Sequence, residues 1–175
     1  MKNLEKKNNQ KEAGFTLIEI ILVMFMVSVV FVAIYSLFSK NIKEYRESNM
    51  EVVASNLAQE GVEIVRNARD NNWLAGGSMT DGLSSGSCIP SISSSGIPSC
   101  GSGSDTIKIV DDSGVNIYQN GGSGTETEFR RECGLNPFND EEIEVTCTVE
   151  WDSFVNPDLD REVKATGYLT NWQEY

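Results

Sequence analysis

The sequence contains no histidine. That absence removes imidazole-ligated metal sites and histidine acid–base chemistry together. Positive charge is also scarce, with 14 Lys and Arg against 26 Asp and Glu and a net charge of −12 at pH 7. The imbalance is uneven along the chain. Lys2, Lys6, Lys7 and Lys11 outnumber Glu5 and Glu12, so residues 1–14 are net +2 and residues 15–175 are net −14. An acidic body without a basic patch excludes recognition of nucleic-acid phosphates and adhesion to an anionic membrane surface. Proline is limited to four residues, the first of them Pro90, which leaves the first half of the chain free to be helical. Four cysteines are present and none forms a C-x-x-C pair, so zinc ribbons and thioredoxin-type motifs find no support. No G-x-S-x-G elbow or partnered base accompanies the serines and cysteines, so no residue is assigned a catalytic role and no cofactor is expected.

What the chain does have is one long apolar run. At 175 residues it accommodates a single domain and a membrane segment. Residues Phe15–Phe38 carry one charge, Glu19, and as a helix they would span roughly 36 Å, enough to cross a hydrocarbon core of about 30 Å. The run is longer than the core of a secretory signal, and no small-residue cleavage site follows it. Four lysines precede the segment while Lys40, Lys43 and Arg46 follow it, so flanking charge leans towards a cytoplasmic N-terminus. A carboxylate at mid-membrane costs about 2.5–3.5 kcal/mol, which leaves two readings of Glu19. It reaches back to the headgroups from one turn inside the membrane, or it pairs with a positive group on a neighbouring subunit.

Gly14-Phe15-Thr16-Leu17-Ile18-Glu19, with the hydrophilic Lys11-Glu12-Ala13 before it and the apolar run after it, resembles the class III signal of type IV prepilins and pseudopilins. The resemblance implies cleavage after Gly14 by a membrane-embedded prepilin peptidase and methylation of the new Phe15 amine. It also implies assembly roles for Glu19 and Thr16, with the Glu19 carboxylate neutralising the N-terminal amine of an adjacent subunit. Two charges stranded in lipid compensate one another only in one axial register, and a buried ion pair is better at setting register than at adding stability. Glycine before the cut lets a protease approach the backbone closely. The implied partners are prepilin peptidase, other pilin or pseudopilin subunits, the inner-membrane assembly platform and, before assembly, membrane lipid. The implied location is a single-pass membrane protein with a cytoplasmic N-terminus that later joins an extracytoplasmic filament or the cell surface. The rival expectation is an uncleaved, signal-anchored surface domain that binds a ligand or a cell.

Beyond Phe38, apolar residues at Ile42, Tyr45, Val53, Leu57, Ile64, Val65 and Ala68 recur at helical steps, with Val52 and Val62 widening the stripe. A helix from about Phe15 to Asn71 would be roughly 85 Å long, with Gly61 a weak point costing up to about 1 kcal/mol. Residues 76–104 hold 18 Gly or Ser among 29 and read as a long irregular loop containing Cys88 and Cys100. Strand signals follow at Thr106–Val110 and Val115–Tyr118 around Asp111-Asp112-Ser113-Gly114, then at Glu142–Trp151 and Arg161–Thr170. The expected fold is α+β and pilin-like: a long N-terminal helix, its first half membrane-spanning, packed on a C-terminal antiparallel sheet. Its divisions are a leader (1–14), a transmembrane or filament-core helix (15–38), an amphipathic stem half (39–72), a Gly/Ser-rich loop (73–104) and a sheet region (105–175).

Four cysteines allow three connectivities, and proximity favours Cys88–Cys100 and Cys133–Cys147, with Cys133 in the loop before the Glu142 strand. The former would close a loop of about 13 residues and contribute roughly 3 kcal/mol. Asp152, Asn156, Asp158 and Asp160 carry oxygens of the kind Ca²⁺ takes, and some pseudopilins hold calcium in this part of the fold. Their spacing matches no EF-hand loop, and such clusters also make turns, which is the stronger reading. Asp140-Glu141-Glu142 reads as a solvated acidic turn. Ala58–Trp73 resembles the stem end of minor pilins of the pilus-modification type and of minor type II secretion pseudopilins, and Val163–Trp172 resembles their closing strand. The resemblance therefore implies a minor subunit.

Overall fold

The computed structural model describes residues 14–83, 85–92, 98–112, 115–139, 142–156 and 159–171. One helix, α1 (Leu17–Leu74), precedes seven strands: β1 (Gly86–Ile92), β2 (Pro98–Gly101), β3 (Thr106–Asp112), β4 (Val115–Asn120), β5 (Thr125–Asn139), β6 (Glu142–Asp152) and β7 (Asp160–Thr170). The chain forms two compact units, residues 1–42 and 43–175. In the first, every side chain from Phe15 to Phe38 is exposed, and the helix is long and apolar enough to cross a membrane. An apolar surface of that extent on a helix with one carboxylate is what lipid or neighbouring helices cover.

In the second unit the helix packs on an antiparallel sheet, giving the α+β architecture that the periodicities predict. Strand β5 organises the sheet. It pairs along one edge with β6 and along the other with β1 and β3; β2 then adds to β1, β4 to β3 and β7 to β6. Alternation places Ile143, Val145, Cys147, Val149 and Trp151 of β6 on the buried face. Against them lie Ala54, Leu57, Ala58, Val62, Val65 and Ala68 of the helix, three- and four-residue steps apart. Two close approaches bring helix and sheet together. A Cβ at Gly61 would stand 3.0 Å from Cys147 Sγ, and one at Gly167 of β7 would stand 2.7 Å from Val62 Cγ1. Gly61 is thus a contact point, and its cost in helix propensity accompanies a packing requirement.

The helix stops with a Schellman cap. Gly76 adopts a φ of 75°, its N–H donates to the Trp73 carbonyl (2.9 Å), and the Gly77 N–H donates to the Asn72 carbonyl (2.9 Å).

Three expectations are corrected. Residues 76–104 are not simply an irregular loop. They include β1 and β2, and Met79, Leu83 and Cys88 enter the core, because backbone pairing to β5 and a few apolar anchors suffice where Gly and Ser side chains contribute little. Cys133, expected in a loop before the Glu142 strand, lies within β5, a 15-residue strand. Ile42, Tyr45 and Val52, expected within the buried stripe, are exposed; packing against the sheet begins at Met50 and Val53 and is complete from Ala54. The turn residues Ser113, Gly114, Asp140 and Glu141, the closing Trp172 and the leader residues before Gly14 lie outside the described residues.

Candidate functional site

The first unit presents the signal residues at a helix start. Thr16 occupies the N-cap position, where its carbonyl accepts the N–H groups of Glu19 (3.1 Å) and Ile20 (3.3 Å). Thr16 and Glu19 also have the S/T-x-x-E spacing of a capping box, a local signal for the helix start. An acid in the first turn complements the positive end of the helix dipole. Gly14 and Phe15 precede the helix in non-helical backbone, and Phe15 is 79% exposed. The junction of Gly14 and Phe15 is therefore followed immediately by an apolar helix.

The second unit carries charge in its interior, which composition alone did not reveal. Arg131 of β5 is fully buried on the helix-facing side of the sheet. Its Nη1 donates to the Leu57 carbonyl (3.0 Å) and to Glu60 Oε2 (3.0 Å), and its Nε donates to Asn120 Oδ1 (2.9 Å). Asn120 Nδ2 donates in turn to the Asp105 carbonyl (2.8 Å), which also accepts the Arg131 backbone N–H (2.8 Å). Burial lowers the Arg131 pKa from its ordinary value, and the charge and hydrogen bond of Glu60 oppose that shift. The guanidinium joins β5 to α1 and β4, and Asn120 and the Arg131 backbone extend the network to Asp105, the residue before β3.

Glu47 makes the second buried attachment. Its Oε2 accepts the Ser153 hydroxyl (3.2 Å) and the Phe154 N–H (3.0 Å), while Arg161 Nε lies 3.1 Å from Oε1. Ser153 Oγ accepts the N–H groups of Val155 and Asn156 (3.2 Å each), so one helix carboxylate organises the β6–β7 connection.

Of the calcium candidates, Asp152 and Asp160 are register partners on β6 and β7, and both flank Arg130, at 3.6 and 3.8 Å. Glu150 meets the same guanidinium at 4.0 Å. A resident cation already occupies the space between these two carboxylates. Asn156 sits in the connecting turn, and Asp158 lies outside the described residues. Among the described residues, no three His, Cys, Asp or Glu side chains converge to hold a metal ion.

The structure pairs Cys88 with Cys100 and Cys133 with Cys147, with Cα separations of 5.3 and 4.0 Å. The first bond staples the β1–β2 hairpin, in which Pro90 lies opposite Cys100. The second joins directly opposed residues of β5 and β6 beneath Gly61.

Residues 9–35 match the family described as the prokaryotic N-terminal methylation motif, a type IV prepilin-like class III signal. Neither a curated protein nor a solved structure matches the chain. The motif supports a precursor of the type IV pilin or pseudopilin kind, a structural subunit whose class engages prepilin peptidase and other pilin subunits. The apolar N-terminal helix fits a membrane anchor.

Proposed function

We propose that the chain is a minor structural subunit of a type IV pilus or pseudopilus. In this reading prepilin peptidase cuts after Gly14, the Phe15 amine is methylated, and the subunit enters a helical filament through residues 15–38. Its N-terminus is cytoplasmic before assembly, lipid covers the apolar helix, and an inner-membrane platform extracts it. Thr16 and Glu19 act in assembly, Glu19 by meeting the amine of an adjacent subunit.

The observation that carries the reading is the Gly14–Glu19 hexapeptide at the head of a fully exposed apolar helix, inside the methylation motif. Burying a carboxylate in apolar surroundings costs several kcal/mol on the order of the membrane penalty, and a neighbour's ammonium offsets it in one register. Support for the minor rank comes from the Ala58–Trp73 and Val163–Trp172 runs, the two segments that resemble minor subunits. They pack on one another through Val62 against Gly167, and Arg69 Nη1 donates to the Thr170 carbonyl (3.4 Å).

Intact mass and N-terminal sequencing of the protein recovered from sheared filaments test the proposal. A mature chain beginning at N-methyl Phe15 is expected. A chain that retains residues 1–14 overturns the processing claim. Gly14→Ala is expected to accumulate the uncut form in membranes. Glu19→Ala is expected to be cut normally and to be lost from filaments.

A further inference from the structure

Cys88 of β1, Cys133 of β5 and Cys147 of β6 stand in one row across the sheet. Cys88 is the register partner of Cys133, and Cys133 is the register partner of Cys147. Directly opposed residues of antiparallel strands have Cα atoms about 4.5–5.5 Å apart and side chains on the same face. That separation falls inside the roughly 4.4–6.8 Å range of disulfides. All three cysteines are buried in the same apolar cluster. The bonds in place are Cys88–Cys100 and Cys133–Cys147, so the middle sulfur is bonded on one side and has another disulfide's sulfur at bonding register on the other.

Access to the row is uneven. Gly61 roofs Cys147 Sγ closely, and Cys133 and Cys147 are fully buried. Cys100, on the outer strand β2, is half-buried and is the sulfur an incoming thiol reaches first.

We propose that these cysteines form a thiol-exchange site in which a thiol entering at Cys100 releases Cys88, and Cys88 then takes Cys133 from Cys147. The entering thiolate bonds to Cys100 Sγ as the Cys88–Cys100 bond breaks, and the electron pair leaves on Cys88. The Cys88 thiolate attacks Cys133 Sγ, the Cys88–Cys133 bond forms, and the Cys133–Cys147 bond breaks. Cys147 leaves as a thiolate and takes a proton from solvent. Nucleophile, central sulfur and leaving group follow one another in the order of the row, as displacement at sulfur requires. When the reagent is a dithiol, its second thiol resolves the mixed disulfide and frees Cys100. One dithiol is then oxidised to a disulfide, and two protein disulfides become one disulfide and two thiols. The co-reactant is a small dithiol or a dithiol oxidoreductase. The product clamps β1 to β5 while unstapling the β1–β2 hairpin and removing the covalent tie between β5 and β6, whose backbone ladder remains.

Cys100→Ser in the full chain leaves Cys88 as a thiol beside the intact second bond and removes the need for a reductant. Free thiols are capped by rapid alkylation, and a glutamate-specific protease then separates Cys133 from Cys147 by cutting after Glu132 and Glu144. Non-reducing peptide mapping is expected to show Cys88 joined to Cys133 and Cys147 alkylated, with loss of the Cys133–Cys147 peptide. Retention of Cys133–Cys147 with Cys88 as the alkylated cysteine overturns the proposal. To separate exchange from any change in folding, native wild-type protein is also treated with substoichiometric dithiothreitol and mapped in the same way. The same Cys88–Cys133 linkage is expected there. Alkylation of Cys88 and Cys100 together, with Cys133–Cys147 untouched, overturns it.

Discussion

Gly61 of the stem helix lies directly over the Cys147 sulfur, so close that a Cβ on the glycine would stand 3.0 Å from Sγ and 3.2 Å from Cys147 Cβ. The neighbours cannot withdraw. Cys147 is bonded to Cys133, and Arg131 Cδ, 3.1 Å from the same point, belongs to a side chain whose Nε and Nη1 are anchored on Asn120 and Leu57. Gly61→Ala gains about 1 kcal/mol of helix propensity and incurs about 1–3 kcal/mol of overpacking. The expected outcome is a net loss of roughly 1 kcal/mol, read as a lower urea midpoint for the detergent-solubilised chain. Gly101→Ala, with nothing within 4 Å of its added Cβ, is the control and should leave the midpoint in place.

Arg131→Ala removes the donor to the Leu57 carbonyl and to Asn120 Oδ1 and opens a void in the core. A loss of about 3–5 kcal/mol is expected, in line with breaking a buried charged network. Arg131→Met refills much of the volume, and the Glu60 side chain, 40% exposed, rehydrates once released. The methionine variant should therefore recover more than half of the loss. Unfolding followed through the fluorescence of the buried Trp151 distinguishes the two variants.

Glu47→Ala deprives the Ser153 hydroxyl and the Phe154 N–H of their acceptor and Arg161 of its counterion. Hydrogen bonds to a charged group are worth about 1.5–3 kcal/mol, so local opening of the β6–β7 connection should become at least tenfold more frequent. Hydrogen exchange is the measurement. Amides of residues 153–156 should exchange faster, while those of β5 keep their protection.

Tyr168 donates its hydroxyl to Glu144 Oε1 (3.1 Å), and that hydrogen bond, followed by the carboxylate's charge, raises the phenol pKa from its ordinary 10.0. A raised folded pKa favours the protonated phenol in the folded state. The contribution to stability is present below the unfolded pKa and is lost as pH rises through the folded value. Difference absorbance between wild type and Tyr168→Phe should place the phenol's titration above that of free tyrosine. Glu144→Gln should bring it down, and added salt should shrink the difference because the pair is exposed.

Much of the fold is legible in the residues themselves. Strict alternation from Ile143 to Trp151 marks β6, and the three- and four-residue steps from Leu57 to Ala68 mark the covered helix face. β5 escaped because its inward positions are Phe129, Arg131, Cys133 and Leu135: an arginine interrupts the apolar alternation, and Gly134 and Pro137 weaken the strand signal. Arg131 is tolerated there only because Leu57, Glu60 and Asn120, up to 74 residues away in sequence, supply its acceptors. No local pattern encodes that. The β1–β2 hairpin was hidden for the opposite reason, since backbone pairing and one sulfur bond order a segment whose side chains bury little. The Gly14–Glu19 junction, by contrast, is a contiguous chemical signal and is read without the fold.

Strand β5 joins β1, β3 and β6, yet it comes after four other strands in the order of synthesis. Until residues 125–139 have emerged, β1–β2 and β3–β4 are separate hairpins with no common strand to dock on, and the apolar face from Ala54 to Trp73 has no sheet to cover it. Cys88 and Cys100, 12 residues apart, can bond at that stage, whereas Cys133 must wait for Cys147. The fold therefore closes late, from its C-terminal third, and a nascent chain cut short before Thr125 would be left with an adhesive helix face and no common strand to unite its hairpins.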